Sequence, residues 1–249
     1  MRIITWNTEW RKTSSSDAGV IRARLEELAP DIVCLTETHA DFLADWPGYT
    51  VCGTDNWGGP TFGTRREVLL WSKRPWHDLD QLGSSDLPAG RFVQAVTDTP
   101  LGRTTVVGIV IPYHMSNVRT GLRNRSLWEL HRLYLDALPK VTASLESASI
   151  VLGDFNQRIP SKWVPHTLRE KRRIAFSDLD IVTRGKLPPL DEAAIDHIAI
   201  GSAFIAEEVR AISNLHLNKK ISDHFGVSTK LALNSLRSSD PAPAVAVPN

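Results

Sequence analysis

The sequence predicts a sheet-rich α/β domain, and three observations support this prediction. Short segments rich in Val and Ile recur along the chain, bounded by Gly, Pro, Asp or Asn, as is typical of β-strands. Only two segments repeat apolar residues at helical spacing. The length of 249 residues fits one large domain or two small ones, and the hydrophobic content of 42% is sufficient for a sizeable core.

The predicted strands share the same Val- and Ile-rich composition and lie at Arg2–Trp6, Ile32–Thr36, Val68–Trp71, Phe92–Thr97, Thr104–Pro112, Ala148–Leu152, Ile195–Ile200 and Val227–Leu231. The first predicted helix spans Ala18–Leu28, where apolar residues recur on one face. The second spans Asn124–Leu145, and we expect Pro139 to break or kink it.

Two segments are predicted to lack regular structure. Residues 54–65 are rich in Gly and read as a loop. Residues 234–249 alternate Ser, Ala and Pro and lack the apolar content needed to fold, so we predict a disordered tail. The folded, catalytic domain is therefore predicted over residues 1–233.

The composition narrows the class of protein. Lys and Arg number 29 against 28 for Asp and Glu, a formal net charge of +1, whereas proteins that mainly grip duplex nucleic acid are usually more basic. The chain opens directly on a predicted strand, with no secretion signal, and no apolar run approaches the roughly 20 residues of a membrane span. We therefore expect a cytoplasmic protein without a membrane span, in which Cys34 is a free core residue.

Three predicted strands end in polar residues two positions apart, and these pairs are Asn7 and Glu9, Glu37 and His39, and Asp154 and Asn156. Side chains at i and i+2 of a strand lie on the same face, so each pair can point in one direction. Carboxylates at the ends of buried strands are costly unless their charge is offset. A divalent cation such as Mg²⁺, which prefers oxygen ligands, is the simplest partner.

Two later segments add to this constellation. Asp196 begins another apolar strand, and Asp223 lies beside His224 just before the last one. Adjacent residues on a regular strand face opposite ways, so Asp223 and His224 can share a site only if the backbone there is irregular. Gly226 is consistent with such an irregularity.

Five motifs together resemble the endonuclease/exonuclease/phosphatase superfamily, which has the DNase-I-like fold. In chain order they are Thr5-Trp6-Asn7, Thr36-Glu37-Thr38, Gly153-Asp154-Phe155-Asn156, Ile195-Asp196-His197 and Ser222-Asp223-His224. One motif alone would be a weak signal, but all five occur in the family's order across nearly the whole chain. The resemblance implies a four-layer α/β sandwich, in which two packed mixed β-sheets are flanked by helices.

The resemblance also implies a metal site for Mg²⁺ or Mn²⁺. Glu37 matches the principal metal ligand, and Asn7 lies beside it, contacting metal or phosphate. Glu9 lies where relatives often carry a second acidic ligand, and Asp223 resembles a further carboxylate of the metal site. Glu9 is longer than Asp, so capping or pairing elsewhere is the alternative to this role.

The catalytic roles follow in the same way. Asp154 resembles the residue that positions or deprotonates the attacking water, and Asn156 would hold a phosphate oxygen. His224 resembles the histidine that contacts the scissile phosphate, oriented by Asp196. Chemistry supports these roles, because charge develops on the phosphate oxygens during attack and a cation aimed there stabilises it.

One position departs from the family pattern. Many relatives carry His or Tyr two residues before a Pro in a central strand, and here that residue is Val110, which cannot donate a hydrogen bond. Tyr113 or His114 is a candidate substitute. His39 and His197 are expected to be structural or solvent-facing.

Two basic clusters follow site motifs, and their side chains are either phosphate contacts or solvated surface. The first contains Arg119, Arg123, Arg125 and Arg132, and the second contains Lys162, Arg169, Lys171, Arg172 and Arg173. The candidate phosphate contacts are Arg119, Arg123 and Arg125, together with His114. Trp10, Trp57 and Trp163 lie in predicted loops, where packing is the favoured role and base stacking the alternative.

The leading functional hypothesis is a metal-dependent nuclease that cleaves the phosphodiesters of DNA or RNA. The alternative is a phosphatase or phosphodiesterase for a small or lipid-linked phosphate, which the low net charge favours. A third reading is a binding protein on the same fold that has lost catalysis, for which Val110 is the only support. The sequence predicts no oligomeric state.

Overall fold

The computed structural model describes residues 1–56, 63–119 and 121–235. The helices are α1 (Ser16–Leu28), α2 (Glu129–Ala137), α3 (Pro139–Thr142) and α4 (His166–Ala175). The strands are β1 (Arg2–Asn7), β2 (Ile32–His39), β3 (Tyr49–Cys52), β4 (Arg65–Ser72), β5 (Trp76–Asp80), β6 (Phe92–Thr99), β7 (Gly102–Val110), β8 (Ser149–Asp154), β9 (Asp180–Ile181), β10 (Lys186–Leu187), β11 (Glu192–Ala193), β12 (Asp196–Ile200), β13 (Phe204–Ile212), β14 (Leu215–His216), β15 (Lys219–Lys220) and β16 (Gly226–Leu233).

Two six-stranded mixed sheets form the centre of the molecule. The first sheet has the strand order β13-β16-β1-β2-β4-β3, and the second has the order β5-β6-β7-β8-β12-β9. Each sheet contains one parallel pair, β1 with β2 and β7 with β8, while its other neighbours are antiparallel. Two short hairpins, β10-β11 and β14-β15, complete the described strands.

The sheets pack face to face through a shared hydrophobic core. Ile3 and Leu70 from the first sheet lie in one buried cluster with Val106 and Leu152 from the second. Alternation along each strand sends one side chain in two into this core and the next to the outer face. Cys34 is among the buried residues of this inner core.

Helices cover both outer faces. Helix α1 packs Ile21 and Leu25 against the outer face of the first sheet, and Ser15 caps it by accepting a hydrogen bond from the backbone N–H of Ala18. Helices α2 to α4 cover the second sheet, where Tyr134 and Leu168 share a buried cluster with strand residues. The four-layer α/β sandwich implied by the resemblance is therefore confirmed.

The helix prediction was incomplete. The predicted helix at Asn124–Leu145 is shorter and divided, because α2 ends at Ala137 and α3 begins at Pro139. Helix α4 was not predicted at all. Its sequence is mostly polar and basic, and it buries only Leu168 and Ala175, so its apolar stripe is too narrow to detect.

The edge strands β3, β5 and β13 were also missed. In β13 charged residues interrupt the apolar pattern, and its pairing with β16 is irregular between Ala206 and Glu208.

The predicted loop over residues 54–65 falls partly outside the described residues, as does Trp57. In the predicted tail, Asn234 donates its backbone N–H to Ala203, and residues 236–249 lie outside the described part of the chain. Within the described residues, none of the helices has the length and apolar character to cross a membrane.

Candidate active site

The strand directions bring the predicted site residues to one end of the sandwich. In the first sheet, parallel β1 and β2 end at the same edge, which places Asn7 near Glu37. In the second sheet β8 ends at Asp154, where antiparallel β12 begins, so that Asp196 lies directly opposite Asp154. The two edges meet, and ligand atoms of Asp154, Asp196 and His224 lie within 4.8 Å of one another.

Asn7 connects the two sheets at this edge. Its side-chain Nδ2 donates to Asp154 Oδ2 at 3.1 Å, and its backbone N–H donates to Asp196 Oδ2 at 3.1 Å. The Asn7 Oδ1 accepts a hydrogen bond from the backbone N–H of Glu9. Asn7 is buried, and its amide can meet a carboxylate and a backbone donor at once because amides both donate and accept.

Asp196 orients His224. The Nδ1 of His224 donates to Asp196 Oδ1 at 3.1 Å, while the other oxygen of Asp196 is held by Asn7. Burial disfavours a charged imidazole, but the carboxylates of Asp196 and Asp154 outweigh it and raise the pKa of His224 to about 10. His224 is therefore an imidazolium at neutral pH.

The backbone around His224 is irregular, as a shared site with Asp223 requires. Residues 221–224 lie outside any strand, and Ser222 Oγ bridges this turn to β1 by donating to the Asn7 carbonyl at 2.7 Å. Trp6 Nε1 donates to the His224 carbonyl at 3.0 Å. A Cβ at Gly226 would lie 2.7 Å from the Trp6 ring, so only glycine lets the indole reach His224.

Asp154 is held by two donors in a buried setting. Asn7 Nδ2 bonds one carboxylate oxygen, and the backbone N–H of Asn156 bonds the other at 2.8 Å. Burial is the main reason that the pKa of Asp154 rises, to about 7, although His224 opposes the rise. The glycine before it is required by packing, because a Cβ at Gly153 would lie 2.0 Å from the Ile109 carbonyl oxygen.

Asn156 lies beside Asp154 in the left-handed region of backbone space, with φ of 51°. Its Nδ2 donates to the carbonyl of Ile111 at 2.8 Å, which fixes the amide against the end of β7. One Nδ2 hydrogen and the Oδ1 atom remain for a ligand.

Glu37 is positioned by a strained stretch of strand β2. Its φ is 44°, a conformation that costs a non-glycine residue of the order of 1 kcal/mol and persists only where neighbours enforce it. Here Thr8 Oγ1 and the Trp10 N–H both donate to the Glu37 carbonyl. Burial first, and then the charges of Glu67 and Asp154, raise the pKa of Glu37 to about 8.

Glu9 and Asp223, the other two predicted metal ligands, lie at the periphery of the site. Glu9 Oε2 accepts from Arg11 Nη2 at 2.7 Å and from the backbone N–H of Asp223 at 2.9 Å. Asp223 is exposed and lines a cavity of about 180 Å³ together with His224. In this arrangement Glu9 orders the turn that carries Asp223 and His224.

A buried ion pair beside Glu37 was not anticipated from the sequence. Arg91 Nη1 lies 2.8 Å from Glu67 Oε2, and both side chains are less than a tenth exposed. Burial raises the pKa of Glu67, and Arg91 counteracts that rise. The sequence does contain a signal for Glu67, because this acid precedes the apolar run of β4. Strand β4 is antiparallel to β2, so the start of β4 lies at the same edge of the sheet as the end of β2.

Gln157 was also missed, although it anchors the loop after Asp154. Its Nε2 donates to His131 Nε2 at 2.7 Å, its Oε1 accepts from Arg172, and its carbonyl accepts from His197 at 2.9 Å. His131 donates its Nδ1–H to the carbonyl of Pro112, so its Nε2 is the acceptor. Both histidines are buried and neutral, which places His197 in the structural role expected for it.

The remaining predicted positions lie around this centre. Val110 is 1% exposed and packs in the core between the sheets, in register with Asp154. His39 bonds Thr64 Oγ1 through Nδ1 and the Trp10 carbonyl through Nε2. His114 contacts the rings of Trp128 and Trp163 at centroid distances of 5.3 and 5.0 Å.

Each basic cluster contains some side chains that form ion pairs with acidic residues and some that do not. Arg125, predicted to contact phosphate, forms an ion pair with Glu129 at 2.7 Å, and Arg132 pairs with Asp136. In the second cluster Lys171 and Arg173 also pair with acids of the helices. Arg119 and Arg123, the other two predicted phosphate contacts, are exposed and have no ion pair among the described residues.

The donor set fits a divalent cation near Glu37. The acids here outnumber the cations His224 and Arg91. Burial is the main cause of the raised pKa of Glu37, and the charges of Glu67 and Asp154 add to it. The tighter cluster of Asp154, Asp196 and His224 is a poorer cation site, because its carboxylates already accept hydrogen bonds and His224 is protonated. The carboxylate of Glu37, with Asn7 beside it, is the better position.

Solved structures share this architecture. An endonuclease/exonuclease/phosphatase from Beutenbergia cavernae is 20% identical with a TM-score of 0.66, covering 94% of this chain and 71% of that one. An AP endonuclease from Archaeoglobus fulgidus is 14% identical with a TM-score of 0.70, covering 94% and 99%. The 3′ phosphatase NExo from Neisseria, bound to a product DNA hairpin, is 17% identical with a TM-score of 0.67, covering 93% and 99%.

The fold and the edge constellation together define a protein of the DNase-I-like class. The model of the Endonuclease/Exonuclease/phosphatase family matches residues 4–224, which include all five motifs. The chain belongs to that family. The comparison with curated protein sequences gave no match.

Proposed function

We propose that the protein is a divalent-metal-dependent phosphoesterase that hydrolyses phosphodiesters of DNA or RNA. The observation that carries this proposal is the convergence of Asp154, Asp196 and His224, with ligand atoms within 4.8 Å of one another, beside Asn7 and Glu37. Related folds include an AP endonuclease and a 3′ phosphatase solved with DNA.

Each side chain has a definite part in this chemistry. Asp154, with its pKa near 7, is suited to position water and accept its proton at neutral pH. His224, charged and held by Asp196, donates from Nε2 to a phosphate oxygen, where negative charge grows during attack. Asn156 contributes its remaining amide hydrogen to the same group.

The proposed cofactor is Mg²⁺ or Mn²⁺. Glu37 and Asn7 would hold it, and Asp223 and Glu9 are proposed as further ligands once Glu9 leaves Arg11. When bound, the ion would act as a Lewis acid toward the phosphate oxygens. The proposed roles of His114, Arg119, Arg123 and Arg125 as phosphate contacts stay predictions, as does the cytoplasmic location.

A substrate panel tests the proposal. We expect cleavage of single- or double-stranded DNA or RNA with Mg²⁺ or Mn²⁺, abolished by EDTA. Asp154→Ala should lower the rate at least about 100-fold, the usual minimum for loss of a general base. Absence of cleavage of every nucleic acid in the panel would refute the nuclease assignment.

A second candidate is a phosphatase or phosphodiesterase for a small phosphate. It is favoured by the near-neutral net charge and by the cavity beside His224, whose volume of about 180 Å³ suits a small group. Hydrolysis of a nucleotide or sugar phosphate with little dependence on salt would select this candidate, since long nucleic acid binds with strong salt dependence.

A further inference from the structure

A partly exposed aromatic cluster lies on the segments that follow β7 and β8, and its two tryptophans have no part in the chemistry above. Trp163 is 70% exposed, yet its ring packs edge-on against His114 at 5.0 Å and in a tilted arrangement against Trp128 at 5.5 Å. We name these three residues the aromatic platform. Trp163 therefore presents most of its ring surface to solvent, where a ligand can reach it.

Contacts link the platform to the catalytic loop. Trp128 packs edge-on against His131 at 5.1 Å, and His131 Nε2 is bonded to the side chain of Gln157. Gln157 directly follows Asn156, whose amide is fixed to the end of β7. The platform is therefore connected, through His131 and Gln157, to the loop that carries Asn156.

Unpaired cations lie on the segments that carry the platform. Arg119 and Arg123 lie between His114 and Trp128, and Arg158 and Lys162 lie between Asn156 and Trp163. All four are exposed, and none forms an ion pair within the described ranges. A groove of about 380 Å³ continues beside Trp128, lined by Leu127 and Pro165 among others.

We propose that the aromatic platform stacks an unpaired nucleobase next to the scissile phosphate, so that the enzyme prefers single-stranded nucleic acid. This inference rests on the proposed function as a nuclease. Aromatic side chains bind bases of any sequence through their π-faces, while nearby cations follow the backbone. In a duplex the bases are stacked on each other and cannot reach a flat ring at the protein surface.

Equilibrium binding tests this inference separately from catalysis. In an Asp154→Asn background that does not cleave, fluorescence anisotropy would compare a labelled single-stranded DNA, the matching RNA and a blunt DNA duplex. We expect single strands to bind more tightly than duplex. Trp163→Ala should weaken single-strand binding roughly ten-fold, within the range for loss of one stacked base, and should change duplex binding less than two-fold.

Two variants provide the controls. Trp163→Phe keeps a stacking ring and should bind single strands within about three-fold of the parent. Tyr49→Ala removes another exposed aromatic ring, on edge strand β3, and should change nothing. Whichever of DNA or RNA binds better identifies the sugar and supports the platform. The inference is overturned if Trp163→Ala leaves single-strand affinity unchanged or lowers single-strand and duplex affinity equally, even when the wild type cleaves nucleic acid.

Discussion

At the scale of single residues, the charge of Asp196 is the feature that keeps His224 protonated. Asp196 is fully buried, and one of its oxygens accepts from His224 Nδ1 while the other accepts from Asn7. The hydrogen bond to His224 fixes the ring, and the negative charge raises its pKa. Replacing the carboxylate of Asp196 with an amide of the same shape removes the charge but keeps a hydrogen-bonding side chain, so it separates the two contributions.

Asp196→Asn should keep the ring near its place but lower the pKa of His224, because the nearest stabilising charge is lost. We expect kcat to fall at least about ten-fold, with the loss growing as the pH rises. NMR titration of the imidazole and a pH–rate profile measure both effects. The double variant that also carries His224→Gln serves as the control. A large further decrease in kcat in the double variant would show that the two residues act independently and would contradict this account.

At the scale of secondary-structure elements, the Arg91–Glu67 pair joins the start of β4 to the start of β6 beneath the site. Buried pairs are strongly destabilised when one partner is removed, because the other charge is left without compensation. Exposed pairs contribute little. The chain offers both kinds for comparison.

Arg91→Met should lower the free energy of unfolding by roughly 3 kcal/mol, and adding Glu67→Gln should recover much of that loss. Chemical denaturation measures both. The matched control is Arg103→Met, which breaks the exposed pair with Asp78 at 2.7 Å and should cost less than about 0.5 kcal/mol. Equal losses at the two pairs would contradict this account.

The elements also show why sequence reasoning found some residues of the candidate site and missed others. Asn7, Glu37 and Asp154 were found because an apolar run that stops at a polar pair is visible in the sequence alone. Glu67 was missed because its relevance depends on the antiparallel pairing of β4 with β2, which a single sequence does not display. The turn of Glu9 toward Arg11 depends on a positive φ of 50° that no spacing rule predicts.

The four-layer architecture was predicted through five ordered motifs, whereas α4 and β13 were not. Motif residues are constrained by chemistry and leave a clear pattern. Helix α4 packs through only Leu168 and Ala175 on an otherwise polar surface. Peripheral elements of this kind are stabilised by tertiary contacts, and their own sequences carry little signal.

At the scale of the whole molecule, the excess of carboxylates should couple metal binding to stability. Mg²⁺ should raise the melting temperature, since a ligand that binds only the folded state adds about 2.7 kcal/mol at 100 times its Kd. Glu37→Gln should abolish this increase. Without metal the same variant should melt at or above the wild-type temperature, because a carboxylate buried beside Glu67 and Asp154 is lost. Differential scanning calorimetry with Mg²⁺ and with EDTA decides the matter.

Two buried, neutral histidines should make an acid-sensitive contribution to stability. Burial lowers the pKa of His131 and of His197 from 6.5 to about 4. Below pH 6.5 the unfolded chain protonates these two side chains and the folded protein does not, so their contribution to stability is lost as the pH falls from 6.5 toward 4. The raised pKa values of Glu37, Asp154 and His224 act in the opposite direction, so the contribution is measured as a difference between two proteins. The urea midpoint of His131→Gln relative to the wild type should therefore rise between pH 7.5 and pH 5, and a difference that is the same at both pH values would exclude this mechanism.

The hydrogen bonds from Asn7 to Asp154 and Asp196 make the candidate active site a seam between the two sheets. Any sliding of one sheet over the other would move Asn7 away from both carboxylates. Turnover should therefore report on the docking of the two sheets and not on either sheet alone.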